Sequence, residues 1–381
     1  MKPSRAAVLV ALATAFSLLG DQMLYSVLPT YYTQLGLVPY QVGLILSVNR
    51  WVRLVTNSLA EWMCRHYDLT LLVSLALILG GLLTIVYGVV TSFAVLLVAR
   101  MLWGLSWSFI RQVGVMTVVD SSPPAHIGRM MGFYNGTSRL GSVSGNLLGA
   151  VGHDAIGFSL TLIVFGVISI LGVPLGWMGR RAVPHQEIDT RRPEGKRWSP
   201  ELLFCGFVIG CVGPGMVMST LGVVLKESIG DSISVFHVVI GVATLNGLLL
   251  ATRWIADALG APLLGAVSDK MGRRWASIVY FMVGMAALFL ACLASHGVLL
   301  IVCVLAFFAC GVGLTVVMIS ESGTRGSRSI AAYVTASDLG SATGPMLGWM
   351  TQQMHMSTDW IFLMGGGLYA AGMVMAFLKF R

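Results

Sequence analysis

The chain has 381 residues, 56% hydrophobic and only 10% charged, with a mean hydropathy of +0.83 and a net charge of +8. Soluble domains carry about 25% charged residues, so this composition excludes a soluble enzyme or nucleic-acid binder and predicts an integral membrane protein. Its apolar runs are continuous rather than alternating, which excludes a β-barrel and leaves membrane-spanning helices.

Twelve spans are predicted, at 6–34, 39–63, 69–91, 93–116, 129–151, 157–178, 202–225, 235–267, 274–295, 297–320, 329–353 and 360–379. Each is long enough to cross a bilayer as a helix. The eighth is longer than one straight span requires, so tilt or extension past the membrane is expected. Six cysteines are scattered along the apolar runs with no C-x-x-C pair and read as small core residues. Lys and Arg gather at the termini and in the even-to-odd loops, while the opposite loops hold only Lys226. By the positive-inside rule both termini are cytoplasmic.

Residues 138–149, SRLGSVSGNLLG, return as SDLGSATGPMLG at 337–348. An offset of about half the chain is far beyond a solenoid period of about 20–50 residues. It divides the chain into two halves of one plan, 1–178 and 201–381, joined by a polar linker at 179–200. The repeated glycines are Gly141, Gly145 and Gly149 in the first copy and Gly340, Gly344 and Gly348 in the second, where Pro345 stands opposite Asn146. Small residues at such spacing let membrane helices approach closely. The copies also differ in charge, Arg139 against Asp338.

Ionisable residues deep in a span cost about 2.5–3.5 kcal/mol each on insertion scales and are functional candidates by default. Eight fall there: Asp21, Arg50, Arg53, Arg100, Arg139, Arg253, Asp257 and Asp338. Arg253 and Asp257 can pair at i, i+4. Asp21 and Arg100 have no partner on their own helices, so each needs one from another helix or from a solute. Apolar surroundings favour a neutral carboxyl, which suits Asp21 to carrying a proton.

Gly265 to Arg274, GAVSDKMGRR, with Asp269, Gly272, Arg273 and Arg274 in place, resembles the loop signature of the major facilitator superfamily of secondary transporters. Asp269 is expected at a helix start, capping free N–H groups. The first-half counterpart, AEWMCRHY, keeps Arg65 but has Cys64 at the Asp position. Arg100 with Gly104 resembles the family's helix-four signature, and the Gly141–Gly149 stretch its antiporter signature, with Asn146 and Ala150 replacing a Pro and a Gly. The resemblance implies two pseudo-symmetric six-helix bundles, alternating access to a midplane site, and contacts of helix two with eleven and of helix five with eight. Asp338 is then expected to pair with Arg50 or Arg53, and Arg139 with Asp257, as interdomain gates.

The leading expectation is a proton-coupled transporter of a small solute, exporting it, with Asp21, Arg100, Arg139 and Asp338 at the proton and substrate site. The five Arg against three Asp favour, as an alternative, an anionic solute. Met346, Met350, Met354 and His355 at the end of helix eleven raise a metal ion or metal chelate as a further one. A non-transporting receptor or scaffold of the same fold is the remaining alternative. No cofactor is expected. The partners expected are the substrate, protons and the bilayer of a bacterial inner membrane, around a monomer.

Overall fold

The computed structural model describes residues 4–123, 126–184, 199–235, 238–293 and 297–379. Most of the expected linker, 185–198, lies outside the described residues. In chain order the helices are α1 Arg5–Tyr31, α2 Pro39–His66, α3 Leu69–Val89, α4 Phe93–Asp120, α5 Ile127–Ile156, α6 Phe158–Leu171 and α7 Val173–Arg181. There follow α8 Pro200–Gly210, a π-helical segment Cys211–Val217 and α9 Met218–Ile229. A hairpin of β1 Ser232–Val235 and β2 Val238–Gly241 leads into α10 Val242–Ile255, a second π-helical turn Ala256–Gly260 and α11 Ala261–Met271. The last helices are α12 Arg273–Cys292, α13 Gly297–Gly323, α14 Ser327–Gln353 and α15 Asp359–Lys379.

Among the described residues, α1, α3, α4, α6–α7, α8–α9, α12, α13 and α15 are long and apolar enough to cross a membrane, and α10–α11 count as a ninth, broken span. The other long helices, α2, α5 and α14, run to 28, 30 and 27 residues. They are less apolar, carrying Arg50, Arg53, Arg139, Asp338 and the doubled glycine stretch. With them the arrangement is that of the expected twelve-span, all-α membrane fold. Leu71, Leu75, Ile78 and Leu82 form one exposed apolar stripe on α3, and Leu160, Val164, Val167 and Leu171 another on α6. Such stripes suit a lipid solvent.

The eighth run differs from its sequence reading. Strands 232–235 and 238–241 pair antiparallel with Ser232 opposite Gly241, so the helix starts at Val242 rather than near 235. β-Branched residues at alternate positions and the left-handed Gly230, at φ 88°, favour the hairpin. The run's excess length is therefore used by a hairpin and a broken helix.

The chain folds as two compact units. The first comprises Met1–Tyr31, Trp51–Asp189 and Ala243–Trp254, the second Tyr32–Arg50, Thr190–Val242 and Ile255–Arg381. In the first unit α1 is buried along almost its whole length and lies against α4, α5, α6 and α7. Its tightest neighbour is α5. A Cβ on Gly141 would overlap the carbonyl oxygen of Ala15, one on Gly145 would stand 2.6 Å from that of Leu19, and one on Gly149 would stand 2.7 Å from Cβ of Met23. Only glycine admits this backbone approach.

Within the second unit the other copy of the stretch does the same against α8 and the π-helical segment after it. A Cβ on Gly340 would overlap the Phe207 carbonyl, one on Gly344 would stand 2.6 Å from Cα of Gly215, and one on Gly348 2.8 Å from Cγ2 of Thr220. The sequence repeat is thus a repeat of one helix–helix contact.

The first unit also contains a buried ion pair, Arg180 Nη1 to Asp120 Oδ2 at 2.7 Å, with side chains 3% and 0% exposed. It ties the last turn of α7 to the last turn of α4. Arg180 is therefore an internal residue of the first unit, not the start of a solvated linker.

Candidate functional site

Asp21 lies two-thirds of the way along α1, and Arg100 lies in the third turn of α4. The first unit brings them together: Arg100 Nη1 donates to Asp21 Oδ1 at 2.5 Å, with the side chains 0% and 5% exposed. The guanidinium is also ringed by Tyr25, Tyr87 and Trp103, whose centroids lie 5.9, 5.8 and 5.6 Å away. A buried charge pair is retained only where further polar or cation–π partners offset its desolvation, and the three rings supply that offset.

The second carboxylate oxygen starts a line of amides. Gln22 Nε2 donates to Asp21 Oδ2 at 2.9 Å, and Asn146 Nδ2 on α5 donates to Gln22 Oε1 at 3.2 Å and to Ser142 O at 2.8 Å. One helical turn along α1, Asn246 Nδ2 on α10 donates to Ser26 O at 2.8 Å and Tyr25 O at 3.4 Å. Gly247 brings α10 against α5, since a Cβ there would overlap the carbonyl oxygen of Asn146 and stand 2.6 Å from Cβ of Ala150. At the start of α10, Thr244 Oγ1 and N donate to Asp154 Oδ2 of α5 at 2.6 and 3.3 Å, an N-terminal cap supplied by another helix.

Arg139 and Arg253 share one ring. Their guanidinium carbons lie 4.3 and 4.6 Å from the centroid of Trp254. Between Arg253 and Asp257 the backbone passes from α to π hydrogen bonding, so the i, i+4 register assumed from sequence spans an irregular turn. In the second unit Arg50 Nη1 donates to Ser341 O at 2.6 Å and to Pro214 O at 2.9 Å. That contact places Arg50 on α14 within a turn of Asp338, whereas Arg53 belongs to the first unit.

The model of the Major Facilitator Superfamily matches residues 10–245 and 203–381. The chain belongs to the Major Facilitator Superfamily. The family is one of membrane transporters, and the chain is an integral membrane protein of that family. It is 24% identical to the inner membrane transport protein YnfM of Escherichia coli, over 65% of this chain and 59% of the relative. The chain thus spans somewhat under two-thirds of that relative's length. An MFS-type transporter of Methanocaldococcus jannaschii is 19% identical over 71% of this chain and 70% of its own. Among solved structures, a bacterial homologue of the human lysosomal transporter Spinster, in its inward-facing and occupied conformation, matches 99% of this chain and 97% of its own with a TM-score of 0.81 at 18% identity. A mutant form of the nucleoside transporter NupG matches 99% of this chain and 100% of its own with a TM-score of 0.74 at 10% identity. These likenesses show the fold.

The family's loop signature is placed differently from the sequence expectation. Gly265 and Asp269 lie within α11, Asp269 in its last turn, and the cap position of α12 is Gly272, at φ 80°, with no side-chain cap bond. Asp269 thus follows a helix rather than starting one and cannot be its N-cap. Arg273 instead pairs with Glu321 of α13 at 3.4 Å, an acid that also accepts from Arg325 at 3.4 Å, while Arg274 lies 4.8 Å over the Phe377 ring. Met346, Met350 and Met354 are 40%, 51% and 64% exposed, so the stripe lies on an open face of α14. His355 follows in a left-handed turn at φ 56°. No group of three or more His, Cys, Asp or Glu that could hold a metal occurs among the described residues.

Proposed function

We propose that this transporter moves a small solute by proton-coupled alternating access, with Asp21 as the proton carrier and Arg100 as its counter-ion. The observation that carries this reading is the buried Asp21–Arg100 pair within two membrane helices. A carboxylate held there exchanges one strong partner for a proton, and the energy of that exchange is large because water is excluded. The two halves, 1–178 and 201–381, act as the moving bundles, with both termini cytoplasmic in a bacterial inner membrane. The termini accord with the Lys and Arg distribution, and the inner membrane with that of the E. coli relative. Export is the direction favoured by the α5 glycines.

A thermal-shift screen of the detergent-solubilised protein against organic anions, drugs and metal ions identifies a substrate. Its flux into proteoliposomes is then measured with and without an imposed pH gradient. Asp21→Asn, which keeps an oxygen for Arg100, is expected to abolish the gradient dependence while Asp21→Glu retains it. Unchanged dependence in Asp21→Asn removes Asp21 from the mechanism.

Arg139 and Arg253 favour an anionic substrate. The two guanidiniums lie 4.3 and 4.6 Å from the Trp254 ring centroid, and each carries the planar donor fork that matches carboxylate or phosphate. Arg139→Gln or Arg253→Gln is expected to weaken a stabilising anion about 10-fold or more, the equivalent of one charge-assisted hydrogen bond. Equal affinity in both variants rules these residues out as its ligands.

A further inference from the structure

Asn146, the residue that stands where the antiporter signature has proline, is fully buried. Its Nδ2 serves Gln22 and Ser142, yet its Oδ1 has no hydrogen-bond partner among the described residues. A buried amide oxygen without a donor is expensive and calls for an explanation. The direction of the neighbouring bonds supplies one. From Asn146 through Gln22 to Asp21, every donor points towards the carboxylate. That polarity requires an acceptor at Asp21 Oδ2.

We propose that Gln22 and Asn146 are positioning residues that form a reversible amide relay, whose polarity follows the protonation of Asp21 and reports it to the face of α5 on which α10 packs. This rests on the proton-carrier reading of Asp21. A proton arriving on Oδ2 turns that oxygen from acceptor into donor. Gln22 turns its carboxamide over, so that Oε1 accepts from the new O–H and Nε2 faces Asn146. Asn146 answers with Oδ1, which thereby gains a donor, and its Nδ2 leaves Ser142 O. Both polarities keep the two links joining Asp21, Gln22 and Asn146 with their donors reversed, and the protonated one gives up the Ser142 bond, so the proton on Oδ2 decides between them.

The change ends beside the Asn146 carbonyl, where Gly247 of α10 makes its close approach. The titratable groups around Asp21 include Arg100 on α4, Tyr87 on α3 and, one turn along its own helix, Tyr25. The Arg100 guanidinium occupies Oδ1, which directs the relay through Oδ2. Against α1 on this side, α5 contributes the neutral amide of Asn146.

The test is pH-difference infrared spectroscopy of the full chain in phosphatidylcholine–phosphatidylglycerol vesicles, with isotope-labelled asparagine. Acidification is expected to raise a carboxyl band that is missing in Asp21→Asn. A labelled amide band should shift with it, assigned to Asn146 by its loss in Asn146→Leu. In Gln22→Met the carboxyl band should persist while the Asn146 shift disappears. In the unmutated protein, an Asn146 band that stays still while the Asp21 band rises overturns the relay but leaves the proton carrier standing. A shift that survives Gln22→Met also overturns it. If no Asp21 carboxyl band develops, the proton-carrier reading falls and the relay with it.

Discussion

Arg100→Met is expected to lower stability by about 3–5 kcal/mol, seen as a marked fall in the melting temperature of the detergent-solubilised protein. The side chain is wholly buried, and its removal takes from the buried Asp21 carboxylate its guanidinium partner and leaves a gap between three aromatic rings. Losing one member of a buried pair costs more than losing both, because the remaining charge has no compensation. The double variant Asp21→Asn with Arg100→Met should therefore recover a large part of the loss. A single variant as stable as the parent, or a double variant worse than the sum of the two singles, would show that the pair does not hold α1 to α4. The measurement is independent of substrate and of coupling ion, so it isolates the pair's structural part from its role in transport.

Gly141→Val is expected to be comparably damaging, on the order of 3 kcal/mol. Here the obstacle is backbone: the added carbon meets the carbonyl oxygen and Cα of Ala15, and main chain inside a packed bundle has little room to retreat. Gly340→Val should behave alike in the second unit, against Phe207. Gly136, on the same helix as Gly141, has nothing within 4 Å of the position its Cβ would take. Gly136→Ala should then be neutral, or stabilising by up to about 1 kcal/mol through helix propensity. Melting temperatures of the three variants check this. A Gly141→Val protein that melts with Gly136→Ala would contradict the close packing.

The same two regions show how far the chain can be read without coordinates. The doubled glycine stretch announced close helix packing because spacing and residue size are local properties. Its partners, Ala15 to Met23 in one unit and Phe207 to Thr220 in the other, are not local, yet the repeat implied that they correspond. Asp21 and Arg100 stood out as charges within apolar runs. The sequence set them at one proton and substrate site, but their resting ion pair could not be read from it, because the residues are 79 apart on different helices and no periodicity links such positions. Asp120 and Arg180 were passed over for a related reason. At the ends of apolar runs they look like ordinary boundary charges, and only folding shows that both are buried. Gln22 and Asn246 carried no signal of their own, being single amides in polar-tolerant helices.

Composition and the repeat were sufficient for the membrane class and the plan of two similar halves, because the bilayer forces backbone satisfaction and span length on any sequence that enters it, while the resemblance to the family rested on the Gly265–Arg274 loop motif. Which charges meet, that Asp269 ends a helix instead of opening one, and that 232–235 and 238–241 pair as antiparallel strands were settled by packing. Each depends on groups far apart in the chain or on competition between helix and strand over a short apolar run. Those outcomes are set by the energy of burying partners together, which no local stretch of sequence contains.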